Sequence, residues 1–287
     1  EQAECQHCGA SYGEVDKNNH DETVAYVNGF CPNCDAFEPA TDSDSNGYYD
    51  IDNAGKLYWF AVQVNSGKTN INGELKANIV INEGVLAEMI RFNPDPRRFR
   101  LWTPIGTEDN AYTGDFCGLE HTVSGLYFND RNAGYVGLFG YVGSGMVNHV
   151  GVIDSYFNGS WAVGGVVGHN EGTVEYAYSN SYVGGTGCIG GVVGDNKGTV
   201  MYAYNLGSIS GLSQVGGVTG TNYNTVKNCY NIVSISGDFL FGDVVGDNFG
   251  TLENCYYPAD AETDELDGTT AKTWAQFKSG EVAYLLG

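Results

Sequence analysis

The chain has 287 residues, 42 of them glycine, and its 35 acidic residues outnumber 13 basic ones for a formal charge of −22. No apolar run approaches the ~20 residues of a membrane-spanning helix, and a net negative chain without a basic block repels nucleic acid and anionic lipid. With 42% hydrophobic and 13% aromatic residues it can fill a core, which excludes disorder.

Residues 1–45 read as a small segment of their own. Cys5-x2-Cys8 and Cys31-x2-Cys34 are two C-x-x-C pairs, and two such knuckles supply four thiolates for a tetrahedral structural zinc site. Disulfide pairing is the alternative. A closed four-ligand site leaves no position for substrate, so the expected role of zinc is to fold a segment too small to own a core. His7 and His20 are expected to face solvent. The stretch Asp42-Ser-Asp44-Ser-Asn46-Gly47-Tyr48-Tyr49-Asp50 matches the start of an EF-hand calcium loop, with its oxygen ligands and its glycine in place. Asn53 stands where the bidentate Glu belongs, so weak calcium binding or none is expected. From Ile51 onward Leu57, Phe60, Ala61 and Val64 fall on one helical face. This predicts a helix over 51–66 that caps the coils C-terminal to it.

Residues 70–130 precede the most regular part of the chain. Between 131 and 257 a glycine-rich unit recurs: VGLFG, GGVVG, GGVVG, GGVTG and GDVVG end at Gly140, Gly168, Gly194, Gly220 and Gly246, with an interval of 26 residues after a first interval of 28. Asn170, Asn196, Asn222 and Asn248 keep the same step. So do Thr173, Thr199, Thr225 and Thr251, the apolar column Val174, Val200, Val226 and Leu252, and the aromatic column Tyr178, Tyr204, Tyr230 and Tyr256. Short β-prone runs separated by Gly and Asn predict strands and turns, and a fixed period predicts stacking. The expected fold is all-β: a right-handed parallel β-helix with a short N-terminal capping helix and a C-terminal helix. The handedness follows the general preference of parallel crossovers. Glycine is expected to provide left-handed conformations at the corners and close approach of backbones, and the asparagines to form ladders.

The units resemble the GLUG repeat, named for its Gly-Leu-x-Gly core and found in bacterial surface proteins and in the accessory region of IgA1 metalloproteases. Val163–Gly185 is similar to one full unit. Upstream, Trp102-Thr-Pro-Ile-Gly106, Gly114-Asp-Phe-Cys-Gly118 and His121-Thr-Val-Ser-Gly-Leu-Tyr127 resemble that family's leading coils, with Cys117 in place of its usual Asp. The segment 268–287, helical by its pattern over Thr270–Leu286, resembles the family's closing segment. The cysteine segment is similar to ribbons that precede the cap helix in some surface proteins. The resemblance divides the chain into residues 1–45 and 46–287 and implies a secreted or cell-surface location, as part of a larger surface protein.

Cys229 and Cys255 share a column with Ala177 and Ala203 and are expected to be reduced core thiols, as is Cys188. No H-E-x-x-H motif is present. The cluster Arg97, Arg98 and Arg100 sits in a Pro-flanked turn and is expected to be solvated. Asp195 and Asp247 share a column with Thr221 between them, two rungs or ~10 Å apart, a spacing near that of glycosidase carboxylates. The reading preferred is non-catalytic adhesion or recognition of an extracellular glycan or protein, with the tyrosine column Tyr178, Tyr204, Tyr230 and Tyr256 as the binding face. A spacer or accessory region of a larger surface enzyme is the alternative, and a polysaccharide-degrading β-helix enzyme comes after that.

Overall fold

The computed structural model describes residues 25–235, 237–260 and 268–286, together with an antiparallel strand pair, Ala3–Glu4 with Ser11–Tyr12. Parallel strands dominate and form a β-solenoid of about eight turns. An eight-stranded sheet runs from Tyr48–Ile51 through Asn72–Leu75 and Asp115–Cys117 to Thr251–Glu253. A five-stranded sheet runs from Phe139–Val142 to Val245–Asn248, and a third contains Gly151–Asn158 and Tyr178–Gly190 and ends at Thr269–Lys272.

Register is kept rung by rung. Val174 pairs with Val200, Val200 with Val226 and Val226 with Leu252; the three valines are 0% exposed. One apolar cluster extends from Ile51 to Tyr257 along the inside of the coil. Burying each such valine contributes roughly 1.5–3 kcal/mol. Part of the irregularity of the first repeat interval is a shift between Ile153 and Tyr156, where the strand bulges and Asp154 takes φ 45°.

The asparagine column lies inside, at a turn. Asn170 Nδ2 donates to Asn196 Oδ1, Asn196 to Asn222 and Asn222 to Asn248, each at 2.8 Å. Each side-chain oxygen also accepts its own loop's N–H two residues on, as Gly198 N donates to Asn196 Oδ1 at 3.2 Å. A second ladder joins Asn205 to Asn231 at 3.1 Å. Buried turns leave backbone groups that need partners, and these amides supply both donor and acceptor.

Glycine acts differently from the expectation in one respect. The left-handed corners of the repeats belong to other residues: Ala162, Cys188, Gln214 and Leu240 in one column, and His149, Tyr176, Tyr202, Asn228 and Asn254 in another, with φ from 48° to 55°. Among the described residues of 131–257, no glycine has positive φ. The repeat glycines instead allow strands to approach. A Cβ on Gly194 would fall 2.6 Å from the Ala162 carbonyl carbon and from Val163 N.

The N-terminal end of the stack is covered by helix α1 (Ala54–Asn65). Asn53 caps it by accepting from Lys56 N, which satisfies one of the unpaired donors of its first turn. Leu57, Phe60, Ala61 and Val64 are all buried. Phe60 meets Phe116 and Tyr112 edge-on at 5.8 and 6.1 Å. A short helix, α2 (Val85–Met89), lies in the leading coils. The single C-terminal helix of the expectation is corrected to three elements. Thr269–Lys272 is a strand that adds a rung to Cys255–Pro258, as its threonines favour. Helices α3 (Trp274–Lys278) and α4 (Glu281–Leu286) come after it, separated by Gly280 at φ 81°. Thr273 and Gln276 form a capping box that starts α3 there.

The asparagine ladder yields a test of stability. Asn196→Ala removes an acceptor from Gly198 N and a link in the ladder, and is expected to cost about 2–4 kcal/mol in urea unfolding. A loss below about 0.5 kcal/mol, the size of an ordinary surface substitution, would mean the ladder is dispensable.

Candidate functional site

The Cys31–Cys34 half of the cysteine set is a compact turn. Both side chains are buried, at 3% and 6% exposure. Asn33 N–H donates to Cys31 Sγ at 3.4 Å, and Cys31 N to Ala36 O at 2.9 Å. Two buried cysteines of one C-x-x-C turn, one of them accepting an N–H at its sulfur, fit one knuckle of a zinc site. Cys5 and Cys8 lie outside the described residues. Arg100 ties this segment to the solenoid: it donates to both Asp35 oxygens at 2.9 and 2.8 Å and lies 3.9 Å over the Phe30 ring. The other arginines of that turn are also paired, Arg97 with Asp95 and Arg98 with Glu88.

In the acidic loop most side chains close their own turn rather than converge. Asp42 accepts from Asn46 N and Gly47 N at 3.0 Å, and Asn46 Oδ1 accepts from Tyr48 N at 2.8 Å. Tyr48 Oη reaches away to Asp115 at 2.7 Å, and that bond pushes the phenol up to about 12. Asp50 accepts from the Ser43 hydroxyl, which holds its carboxyl below the usual range. The carboxylates that do converge are Asp44, Asp50 and Glu74, the last from the strand Asn72–Leu75. Lys76 Nζ lies among them at 3.5, 3.3 and 2.5 Å. An ammonium therefore already places one positive charge among these three carboxylates.

The tyrosine column is a ladder. Tyr178 and Tyr204 stack at 4.9 Å and 0°, Tyr204 and Tyr230 at 4.8 Å and 4°. Tyr256 keeps the backbone register but is 7% exposed, with Lys272 over its ring at 5.6 Å. A second lane, His149, Tyr176 and Tyr202, stacks at 4.7 Å per step along the left-handed corner. In both lanes neighbouring rings cover one another's faces, which leaves edges and hydroxyls for a ligand. Burial raises the Tyr204 phenol and pushes Tyr230 up to about 12, so these hydroxyls remain donors at neutral pH.

A further cluster lies on the five-stranded sheet, where Tyr141, His169, Asp195, Thr221 and Asp247 form one column. His169 is 2% exposed and bridges two carboxylates: Nδ1 is 2.9 Å from Asp195, and Nε2 is 3.3 Å from Glu171. Tyr141 Oη donates to the same Glu171 oxygen at 3.1 Å, and its ring lies 4.3 Å from the imidazole. Beyond Asp195, Thr221 Oγ1 donates to Cys188 Sγ at 3.2 Å, Cys188 to Gln214 at 3.3 Å, and Gln214 Nε2 to Asp247 at 3.3 Å. Asp195 Oδ1 is buried without a hydrogen-bond partner.

The Asp195 and Asp247 column was visible in the 26-residue spacing. His169 occupies the same column, one residue before the asparagine ladder, but a repeat search gives weight to identity and this column varies. Burial pushes the Cys188 thiol up to about 11, and its hydrogen-bond partners are Thr221, Gln214 and Trp161.

The fold places the chain among parallel β-solenoids. No family model matches it, and no solved structure does. A stretch of 78 residues is 31% identical to a protein of Evansella cellulosilytica described as "Putative Gly-rich membrane protein". The match covers 26% of this chain and 9% of that protein's length. Among the described residues no helix is long and apolar enough to cross a membrane.

The raised Cys188 thiol has a direct chemical consequence. At pH 8 iodoacetamide is expected to leave Cys188 unmodified in the folded protein and to alkylate it fully in urea, by peptide mass spectrometry. Rapid alkylation in the folded state would mean that the thiol is neither shielded nor raised by its surroundings.

Proposed function

We propose that the protein is a non-catalytic recognition module of a secreted or cell-surface bacterial protein, binding a host or microbial glycan or protein along the flank of its solenoid. The observation that carries this reading is a stiff frame that holds aromatic side chains, the tyrosine lanes and Trp161 among them, at fixed positions on its flank. Such a frame presents partly exposed rings at fixed intervals along one axis, and tyrosine adds a hydroxyl donor to an apolar body. The raised Cys188 thiol and the pairing of Arg97 and Arg98 with carboxylates speak against a nucleophile and against a free basic group for uronate chemistry. The relative from Evansella cellulosilytica carries "membrane protein" in its description, which is compatible with a surface location. The 26-residue units are read as GLUG-type repeats on the motifs quoted above.

The N-terminal segment is read as a structural zinc element with Cys5, Cys8, Cys31 and Cys34 as ligands. The buried Cys31–Cys34 turn and its N–H to sulfur contact support this. Zinc would supply cross-linking there, and folding free energy with it.

Elemental analysis of the purified chain is expected to give about one zinc per chain, the stoichiometry of a site with four cysteine ligands, and treatment with a strong chelator to lower the melting temperature. Less than about half an equivalent would count against the site. For recognition, the full chain is expected to give reproducible hits on an array of host and microbial glycans or saturable binding to intact cells, with Kd below ~1 mM, a binding free energy near −4 kcal/mol. A blank array together with no saturable cell binding would leave the spacer reading in its place.

A further inference from the structure

We propose that the ligand-facing aromatic of this protein is Trp161, and that it forms the platform of a subsite for neutral sugars running along the solenoid axis toward Phe239. This rests on the recognition reading and names its site and ligand class.

The tyrosine lanes and Trp161 differ in what their rings have left to offer. In the first lane planes lie within 0–4° of one another at 4.8–4.9 Å and in the second within 1–22° at 4.7 Å, so the inner rings, Tyr204 and Tyr176, have both faces against a neighbour. Trp161 is 41% exposed, and its aromatic neighbour, Tyr135, meets it at 75° with centroids 5.8 Å apart. An edge-to-face contact holds the indole in place without covering both faces.

The next rung explains why the indole can lie as it does. Trp161 is in register with Gly187, and a Cβ on Gly187 would stand 3.2 Å from Trp161 Cδ1. The indole therefore leans along the axis over a position without a side chain. Ser213 occupies the rung after Gly187, and Phe239, 71% exposed, the one after that. Two exposed aromatic side chains thus stand three strand spacings apart, about 14 Å, with only a glycine and a serine between them. The indole covers Gly187, which is buried, and the half-buried Ser213 is the small residue left between it and Phe239.

Its polar flank comes from the cluster on the five-stranded sheet. Tyr135 contacts Tyr141 at 5.3 Å and His169 at 5.7 Å, which joins the Trp161 platform to Glu171. Glu171 is 45% exposed at its side chain, and both its contacts, from Tyr141 and His169, use Oε1. Gln214, whose amide is engaged with Cys188 and Asp247, lies next to Ser213.

This combination selects a ligand by its chemistry. The C–H face of a pyranose packs on an exposed indole as other apolar groups do, and carboxylate oxygens accept hydrogen bonds from hydroxyls. A carboxylated or sulfated sugar would meet the exposed Glu171 carboxylate on a chain of formal charge −22 and be repelled. The ligand class is therefore a neutral oligosaccharide long enough to reach from Trp161 toward Phe239.

The test uses the full chain and an array of neutral oligosaccharides (cello-, xylo- and manno-hexaose among them) beside oligogalacturonate of the same length. Three proteins are compared: the natural sequence, Trp161→Ala, and the double variant Tyr204→Ala with Tyr230→Ala. Circular dichroism and melting establish that each is folded, and Trp161→Phe serves as a milder variant if Trp161→Ala is not. The expected result is binding to neutral oligomers but not to oligogalacturonate, weakened at least tenfold by Trp161→Ala and less than twofold by the tyrosine pair. Loss with the tyrosine pair but not with Trp161→Ala overturns this subsite and leaves the recognition reading standing. Preference for oligogalacturonate does the same. No sugar bound by the natural sequence also overturns the subsite, and the recognition reading then depends on cell binding alone.

Discussion

Everything in this molecule depends on one contact repeated along an axis: a residue of one coil hydrogen-bonded, in parallel register, to the residue one period later. Once the backbone is held that way, identical side chains stand ~4.8 Å apart, a separation that suits three kinds of group. Valines fill the inside and exclude water. Asparagines satisfy one another's amides and their own turns, so that tight corners can be buried without orphaned backbone groups. Tyrosines stack face to face. The left-handed corners at Tyr176, Tyr202 and Cys188, each of which costs a non-glycine residue roughly 1–2 kcal/mol, persist because the rungs above and below hold them in place.

A stack of this kind has a problem at its ends, where the core and the strand edges would meet water. At the start the solution is an amphipathic helix, α1, whose Phe60 plugs into Phe116 and Tyr112. The cysteine segment is fastened over it through Arg100, Asp35 and Phe30. At the other end the chain adds one rung, Thr269–Lys272, to one side only, and α3 and α4 come after it. The two ends are thus built from different local chemistry around a uniform middle.

The uniformity also determines where chemistry can reside. A ladder of identical residues uses its members on one another: tyrosine faces are covered by tyrosines, asparagine amides by asparagines. Groups with something left to offer appear where the period is broken. Trp161 stands over Gly187 because the column does not repeat tryptophan. His169 and Asp195 face each other because their column alternates Tyr, His, Asp, Thr and Asp. The acidic loop obeys the same logic in reverse, since Lys76 sits among Asp44, Asp50 and Glu74 and supplies their counter-charge.

The period of 26, read from Gly, Asn, Thr, Val and Tyr, was enough to establish a parallel β-solenoid and the register of its columns, because in a stack one residue's environment is set by its own copies. The helix over Ala54–Asn65 was legible for an equally local reason, an apolar stripe. Two things were decided only by the tertiary structure. Threonines at 269 and 270 sit in a helical-looking segment but form a strand, because the edge of Cys255–Pro258 was there to pair with. The repeat glycines work by letting one strand press against another, as Gly194 does against Ala162 and Val163, while the left-handed corners belong to residues with side chains. A sequence records that glycine recurs. Whether it recurs for its torsional freedom or for its missing Cβ depends on what stands opposite, and that is a property of neighbouring coils.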